Sequence, residues 1–567
     1  MVKRMASSDM PPAAPPAGKK QRTTTSQEQQ PEEKRSAQMD AAAEPHSAPV
    51  ALQPTIRLTS AEEKLFAFLL DVAAQDAANG AVLRVAGGWV RDKLLGRDSD
   101  DVDIVLDRMT GSAFADLVNS FETAQGRTPH AVGVIKANPE QSKHLETATM
   151  QLGDQMGWVD FVNLRAETYA SEDHRIPQVE IGTPRQDAER RDFTINSLFY
   201  NLATREVEDF TGRGLDDLRS GRLRTPLEPR VTFLDDPLRV LRAVRFASRF
   251  DFTLDAELRA AAQLEEVRVA LVRKVSRERV GKELTGMLTG SAAHPERALR
   301  LLHELGLCGS VFLPSALLEE LKMPVCRPDG QVEEEDDGVW DRGYAYASEM
   351  YQYLASSASS GTLDVNSLSS EAQHDLQVRI LAAFLLPFRG FYVRDKRRRS
   401  VATFVIQDAL KLPNRDAKDV ANVVLDNVGA LQAATVSSLD AFDRVQMGLL
   451  LRSIGSQWEL CRDVALVQEL VDCEASGEAE DAREAVSQRY DTFVEQVQDA
   501  GLLGVWDLKP LLNGNDLVKQ LGVKPGPHMK ELLDRVLAWQ LSRPTKTRDD
   551  CLAHFQAAIA AESKAAQ

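Results

Sequence analysis

Residues 85–107 read VAGGWVRDKLLGRDSDDVDIVLD, a short span that carries a glycine pair, an arginine and a D-x-D carboxylate pair. The segment before it, residues 81–86, is apolar apart from Arg84, as a buried strand would be. Gly87-Gly88 then breaks the run and lets the backbone approach a ligand closely. Residues 89–95 predict a short helix stopped by Gly96. Backbone N–H groups at a helix start attract phosphate, and Arg91 adds positive charge within the first turn. Gly88 and Arg91 are therefore candidate phosphate-binding residues. Residues 101–106 (DVDIVL) alternate like a half-buried strand, and positions two apart share a face. Asp101 and Asp103 are thus expected to point the same way, a costly arrangement without a cation. Mg²⁺ suits such a pair, because it is commonly held by one or two carboxylates together with substrate phosphates. A lone G-G is usually a turn and a lone D-x-D usually a solvated face. Both at this spacing point to phosphate chemistry assisted by a metal.

Further blocks follow downstream. Residues 190–199 read RRDFTINSLF, residues 209–218 DFTGRGLDDL, residues 235–246 DDPLRVLRAVRF and residues 276–284 SRERVGKEL. Taken in order with the first stretch, these resemble motifs A to E of the class II tRNA nucleotidyltransferases, the CCA-adding enzymes, of the eukaryotic type. The resemblance is strong over residues 56–288. It extends more weakly to residues 509–527 and to Trp539-Gln540.

The resemblance implies an α+β protein: a nucleotidyltransferase head with a mixed β-sheet and helices, then an all-α neck, body and tail. The expected boundaries are a disordered extension at 1–55, the catalytic head at 56–211 and a helical neck with the nucleotide-selecting motif at 212–288. A helical body at 289–480, with an insertion or mobile loop around 323–373, and a tRNA-binding helical tail at 481–567 follow. The implied activity is template-independent addition of CCA to tRNA 3′ ends from CTP and ATP, with release of pyrophosphate. Asp101 and Asp103 would be the catalytic Mg²⁺ ligands, and Arg191 would contact phosphate, with Asn196 a weaker candidate. Within the strand pattern of residues 159–164 (VDFVNL), Asp160 is read either as the third catalytic carboxylate of this superfamily or as an edge-strand acid in water. The SRERVGKEL block is expected to stabilise the junction between head and helices.

The fourth block carries its own chemistry. Asp236 followed by Pro237 makes a good helix start, so simple capping is one reading of Asp236. Arg239, three residues on, falls on the same side. Arg242 and Arg245 keep the spacing but drift round the helix by about 60° per step. C and A each present an amino donor beside a ring-nitrogen acceptor, which a carboxylate and a guanidinium complement. U and G present a carbonyl and an N–H and would leave the pair mismatched. The resemblance assigns this selection to Asp236 and Arg239, and places Arg242 and Arg245 near the nucleotide. The family usually has Glu where this chain has Asp235, one methylene shorter.

At 567 residues, with 43% hydrophobic and 27% charged residues, the chain has room for several domains. Five scattered cysteines without C-x-x-C spacing argue for reduced thiols inside the cell. The net charge of −17 is unusual for an RNA partner, but basic residues crowd 185–249 and form the block Lys396-Arg397-Arg398-Arg399. Residues 1–54 lack periodicity. Their Lys19-Lys20-Gln21-Arg22 run reads as a nuclear signal or a solvated tail, and their acid-poor start as an organellar transit peptide. The expected location is inside the cell, in cytoplasm and nucleus, with a mitochondrion or another organelle as the alternative, and the expected state is a monomer or a homodimer. The competing activities are a CC- or A-adding enzyme, a poly(A) polymerase, a catalytically inactive tRNA-binding protein and a nucleotidyltransferase acting on a small molecule.

Overall fold

A computed structural model describes residues 50–99, 101–135, 147–152, 157–168, 178–332, 338–357, 363–394, 396–476 and 480–565. The extension expected at 1–55 lies outside the described residues up to position 49.

The first half is built on a seven-stranded mixed sheet. Its strands are β1 (Leu83–Ala86), β2 (Asp103–Leu106), β3 (Val132–Ile135), β4 (Thr147–Gln151), β5 (Trp158–Asn163), β8 (Leu198–Asn201) and β9 (Glu206–Asp209), in the order β3-β4-β5-β2-β1-β8-β9. Two further strands, β6 (Arg165–Thr168) and β7 (Gln178–Ile181), form a separate antiparallel pair. Within the large sheet β2 and β5 run parallel, and the other neighbours are antiparallel.

Period-two alternation divides the sheet into two unlike faces. Leu83, Val85, Ile104, Leu106, Ala148, Met150, Val159, Phe161, Leu198 and Tyr200 enter the main core. Ala86, Val105, Leu164, Ala188 and Phe199 close part of the opposite face with a small cluster. Asp103 and Asp160 belong to that second face by alternation, where the cluster stops.

The first helix, Ser60–Ala73, is started by a capping box between Thr59 and Glu62. Glu62 also accepts from Trp89 Nε1 at 2.9 Å and Lys93 Nζ at 2.9 Å, tying this helix to Gly88–Leu94. Trp89 is buried between Phe66 and Tyr200.

After β9 the described chain is helical apart from short two-residue strands. The Leu238–Phe250 helix packs against Arg277–Thr289, and Gly286 permits the approach, because a Cβ there would meet Arg245 Cδ at 2.9 Å. Arg277 is buried and donates to the carbonyls of Ala409 (2.7 Å), Ser310 (3.1 Å) and Val311, pinning its helix to the helices that follow.

The segment 323–373 differs from the loop expected there. Residues 333–337 and 358–362 lie outside the described residues, but Val339–Ser356 is an 18-residue helix in the core. Val339, Gly343, Tyr346, Ala347 and Met350 form its buried stripe, at a helical spacing that acidic and serine-rich flanks obscure. Trp340 packs among Phe312, Phe384 and Phe388.

At the C-terminal end a separate small core gathers Leu512, Leu517, Leu532, Val536, Trp539, Cys551 and Phe555. Gln540 clamps the preceding loop, accepting from Leu511 N at 3.0 Å and donating to Lys509 O at 3.2 Å.

Gly281 lies where the Arg277–Thr289 helix meets the backbone of Leu410, and a Cβ there would collide with the Leu410 carbonyl oxygen. Gly281→Ala is expected to destabilise the protein by about 1–3 kcal/mol, read as a fall in thermal midpoint. An unchanged midpoint would contradict this packing.

Candidate active site

Register places the acids. In the parallel β2–β5 pair Asp103 stands opposite Asp160, and Asp160 stands opposite Thr149 on β4. Strand β5 is therefore interior to the sheet, and the edge-strand reading of Asp160 does not hold. A cleft of about 440 Å³ opens over this pair, walled by Asp103, Asp160, Arg165, Arg191, Asp236, Arg239 and Arg242, among others. Asp101 lies two residues before Asp103 in exposed chain ahead of the strand, close enough for its charge to act on Asp103.

Asp103 opens to solvent through the mouth of the cleft but has protein around it on its other sides. Burial pushes its carboxyl up to about 6; the charges of Asp160 and Asp101 add to the rise, and Arg191 and Arg165 oppose it. Clustered carboxylates of this kind fit a divalent cation. Among the described residues no three or more His, Cys, Asp or Glu side chains are grouped so that they could hold a metal ion. Two carboxylates completed by water and phosphate oxygens are the usual Mg²⁺ arrangement.

The glycine pair does two different things. Gly87 has φ +77°, which calls for glycine, and a Cβ there would lie 2.8 Å from Arg191 Nη1 and push that guanidinium aside. Gly88 begins the Gly88–Leu94 helix and lies outside the cleft walls, with ordinary room for a Cβ. Arg191, held by Asp187 Oδ2 at 2.9 Å and by Asn196 O at 3.2 Å, brings its guanidinium to the cleft. Asp187 is fully buried and also takes Arg190 Nη2 at 2.6 Å. Burial opposes its ionisation, but Arg191 and Arg190 outweigh that and hold the carboxyl below its usual range.

Arg91 is placed differently from the expectation of a phosphate contact. It is buried, with Nε and Nη2 on Asp92 (2.9 and 2.8 Å) and Nη1 on Asn196 Oδ1 (2.5 Å), beneath the rings of Phe246 and Phe250. Its fork is spent on joining the glycine-turn helix to Asn196 and to Leu238–Phe250, which is why it does not wall the cleft.

The arginines of Leu238–Phe250 separate as their spacing implies. Arg239 donates to Arg190 O at 2.7 Å and Thr232 O at 3.4 Å. Arg242 grips Asp192 Oδ2 through Nε and Nη2, both at 2.7 Å. Arg245 turns to Glu283 at 2.7 Å and is not among the cleft walls, unlike Arg239 and Arg242. Asp236 caps the helix weakly, accepting from Leu238 N at 3.3 Å, while its other oxygen accepts from Arg279 Nη2 at 2.9 Å. Capping and cleft membership thus coexist in one carboxylate.

Four participants carry little or no signal in the sequence: Arg279, Glu283, Arg165 and Asp187. Arg279 and Glu283 are four apart on one helix face, a spacing visible in SRERVGKEL, but the spacing does not show what they meet. Asp187 sits three and four residues before Arg190 and Arg191, a pattern as common in solvated helices. Arg165 carries no signal beyond following the VDFVNL strand.

Residues 83–224 match the family described as the Poly A polymerase head domain. Over 528 residues the chain is 34% identical to the CCA tRNA nucleotidyltransferase, mitochondrial, of Saccharomyces cerevisiae, across 89% of this chain and 94% of that protein. Over 481 residues it is 35% identical to the tRNA nucleotidyltransferase cca2 of Schizosaccharomyces pombe, across 84% and 92% of the two chains. Among solved structures, the Thermotoga maritima CCA-adding enzyme complexed with tRNA has the same fold, with a TM-score of 0.54 at 19% identity over 89% of this chain and 97% of that one.

Asp192 is almost fully buried. Burial alone would raise its pKa, but Arg242 and Asn196 lower it from 3.8 to about 2. A depressed carboxylate stabilises the fold above its unfolded pKa and loses that contribution as pH falls through the folded value. The wild type should therefore exceed Asp192→Asn in stability by roughly 2 kcal/mol near neutrality. That difference should begin to shrink only below about pH 4, as read from paired thermal melts across pH. A difference independent of pH would refute the ion pair.

Proposed function

The chain belongs to the family of CCA tRNA nucleotidyltransferases, and from that premise we propose that it adds CCA to tRNA 3′ ends from CTP and ATP, releasing pyrophosphate. The observation that carries the reading is one cleft joining the facing pair Asp103–Asp160 to Asp236 and Arg239. Support also comes from relatives named for CCA addition that match nearly the whole chain. It comes as well from a solved neighbour of the same fold described as complexed with tRNA.

Asp101 and Asp103 are assigned as the Mg²⁺ ligands and Asp160 as the third catalytic carboxylate. A bound Mg²⁺ would activate the attacking 3′-hydroxyl and neutralise charge on the leaving pyrophosphate. Arg191 supplies positive charge at the triphosphate, and Gly87 leaves room for its guanidinium. Asp236 accepts from the amino group of C or A, and Arg239 donates to the ring nitrogen. Both side chains are already engaged, Asp236 with Arg279 and Arg239 with backbone carbonyls, so the incoming base competes with protein partners for them. U and G cannot repay that exchange, because each sets N–H against N–H and oxygen against oxygen. Arg242 supports the cleft wall through Asp192, and Arg245 acts from outside it through Glu283. The tail at 481–567 is assigned to the tRNA acceptor arm, read by its backbone and shape. A mitochondrial form is proposed from the acid-poor first residues and the name of the yeast relative.

The test is incorporation of labelled CTP and ATP into tRNA ending before CCA, with Mg²⁺ and sequencing of the 3′ ends. Discrete CCA ends are expected. CC ends alone, A added only to CC-ended tRNA, or long A tails would each replace the activity with the corresponding rival. Asp103→Asn should lower incorporation by about 10³-fold or more with tRNA binding intact; full activity would refute the metal assignment. Asp236→Ala should narrow the preference for CTP over UTP by about 10²-fold, and unchanged discrimination would move nucleotide selection elsewhere.

A further inference from the structure

A second cleft of about 580 Å³ lies in the helical half, beside the short antiparallel pair Val325–Cys326 and Tyr392–Val393. Lys322, Arg394, Lys396, Arg397 and Arg399 wall it, with Leu321, Met323 and Gln407. No carboxylate is among its described lining residues, in a chain whose net charge is −17. Arg399 is already paired with Asp408 at 2.6 Å, and Arg394 donates through Nη2 to Gly330 O at 3.0 Å. Lys322, Arg394, Lys396 and Arg397 are exposed.

Backbone hydrogen bonds tie down described residues at both ends of the basic segment. Val393 N donates to Arg399 O and Arg394 N to Pro324 O, both at 2.9 Å, which closes the basic loop on its neighbour. Arg398 lies over the Tyr392 ring, 4.0 Å from its centre. Lys322 and Arg398 have φ of +53° and +49°, a conformation that residues with a Cβ adopt at a cost.

The cleft is also mechanically joined to the nucleotide site. The chain leaving the basic loop runs through Val401–Phe404 to Ala409 and Leu410. Arg277 donates to Ala409 O, and Gly281 packs on the Leu410 backbone. Both belong to the helix whose Arg279 and Glu283 hold Asp236 and Arg245. The basic cleft and the nucleotide site are thus built on directly contacting segments.

We propose that this basic cleft is a remote docking site for the ribose-phosphate backbone of the RNA substrate. The proposal rests on the reading of the chain as a tRNA nucleotidyltransferase. Lysine ammonium groups and arginine forks meet phosphate oxygens without reading base sequence, and Leu321 and Met323 offer an apolar surface to sugar.

The test uses the full chain with Lys396→Ala and Arg397→Ala combined, two exposed positions away from the catalytic cleft. Binding of unmodified tRNA would be followed by fluorescence anisotropy across a salt series, with steady-state CTP incorporation and thermal melts alongside. The expected result is a KM for tRNA raised by about tenfold, with kcat, KM for CTP and melting unchanged. The slope of log affinity against log salt should become shallower by about 2. Unchanged tRNA affinity and slope in a folded variant would overturn the proposal. Weakened pyrophosphate binding with normal tRNA binding would also overturn it, by making the cleft a small-anion site. Direct binding keeps this result separate from the activity: a wild type that binds tRNA through these residues but adds no nucleotide would sink the catalytic reading and leave the docking site standing.

Discussion

The parallel pairing of β2 with β5 is the constraint from which the candidate active site follows. It sets Asp103 beside Asp160 on the face of the sheet that the small Ala86–Val105–Leu164–Phe199 cluster covers only in part. A one-residue slip of either strand would send its acid into the main core and bring Ile104 or Phe161 to the cleft, so burial of the apolar face enforces the register. Burial first, and the charges of the neighbouring acids after it, raise Asp103 to about 6. Fold and chemistry meet here: the same alternation that builds the core concentrates negative charge where a divalent cation would relieve it.

Around that pair the arginines form two kinds of contact. Some are sealed into the framework: Arg91 against Asp92 and Asn196, Arg277 against three carbonyls, and Arg245 against Glu283. Others face the cleft while leaning on a buried acid, as Arg191 does on Asp187 and Arg242 on Asp192. The buried acids orient guanidiniums and partly offset the cost of crowding cations together. The helix of the SRERVGKEL block links the two halves, because Arg279 and Glu283 reach the Leu238–Phe250 region while Arg277 and Gly281 lock onto the following helices. A change in how those helices pack would therefore be felt at Asp236.

Part of this arrangement is legible in the amino-acid sequence. The strand–glycine–helix unit at 83–94 and the strand at Asp103 follow from local rules of periodicity and turn chemistry. The drift of Arg245 away from the position of Arg239 follows from helical geometry. The helix Val339–Ser356 is hidden, because composition over a long window outweighs the local stripe that forms it. The role of Arg91 is hidden as well, because an arginine near a helix start looks the same whether its partner is a phosphate or a neighbouring carboxylate.

The amino-acid sequence by itself determined the order of elements, the family and the residue types that carry the chemistry, because those depend on spacing along the chain. Tertiary structure alone decided which of them meet. That Asp160 is interior and faces Asp103, that Arg279 holds Asp236, and that Arg91 and Arg245 lie outside the cleft are all contacts between segments far apart in sequence. Such contacts are selected by packing of the whole core, and a charged side chain takes whichever partner that packing brings within reach.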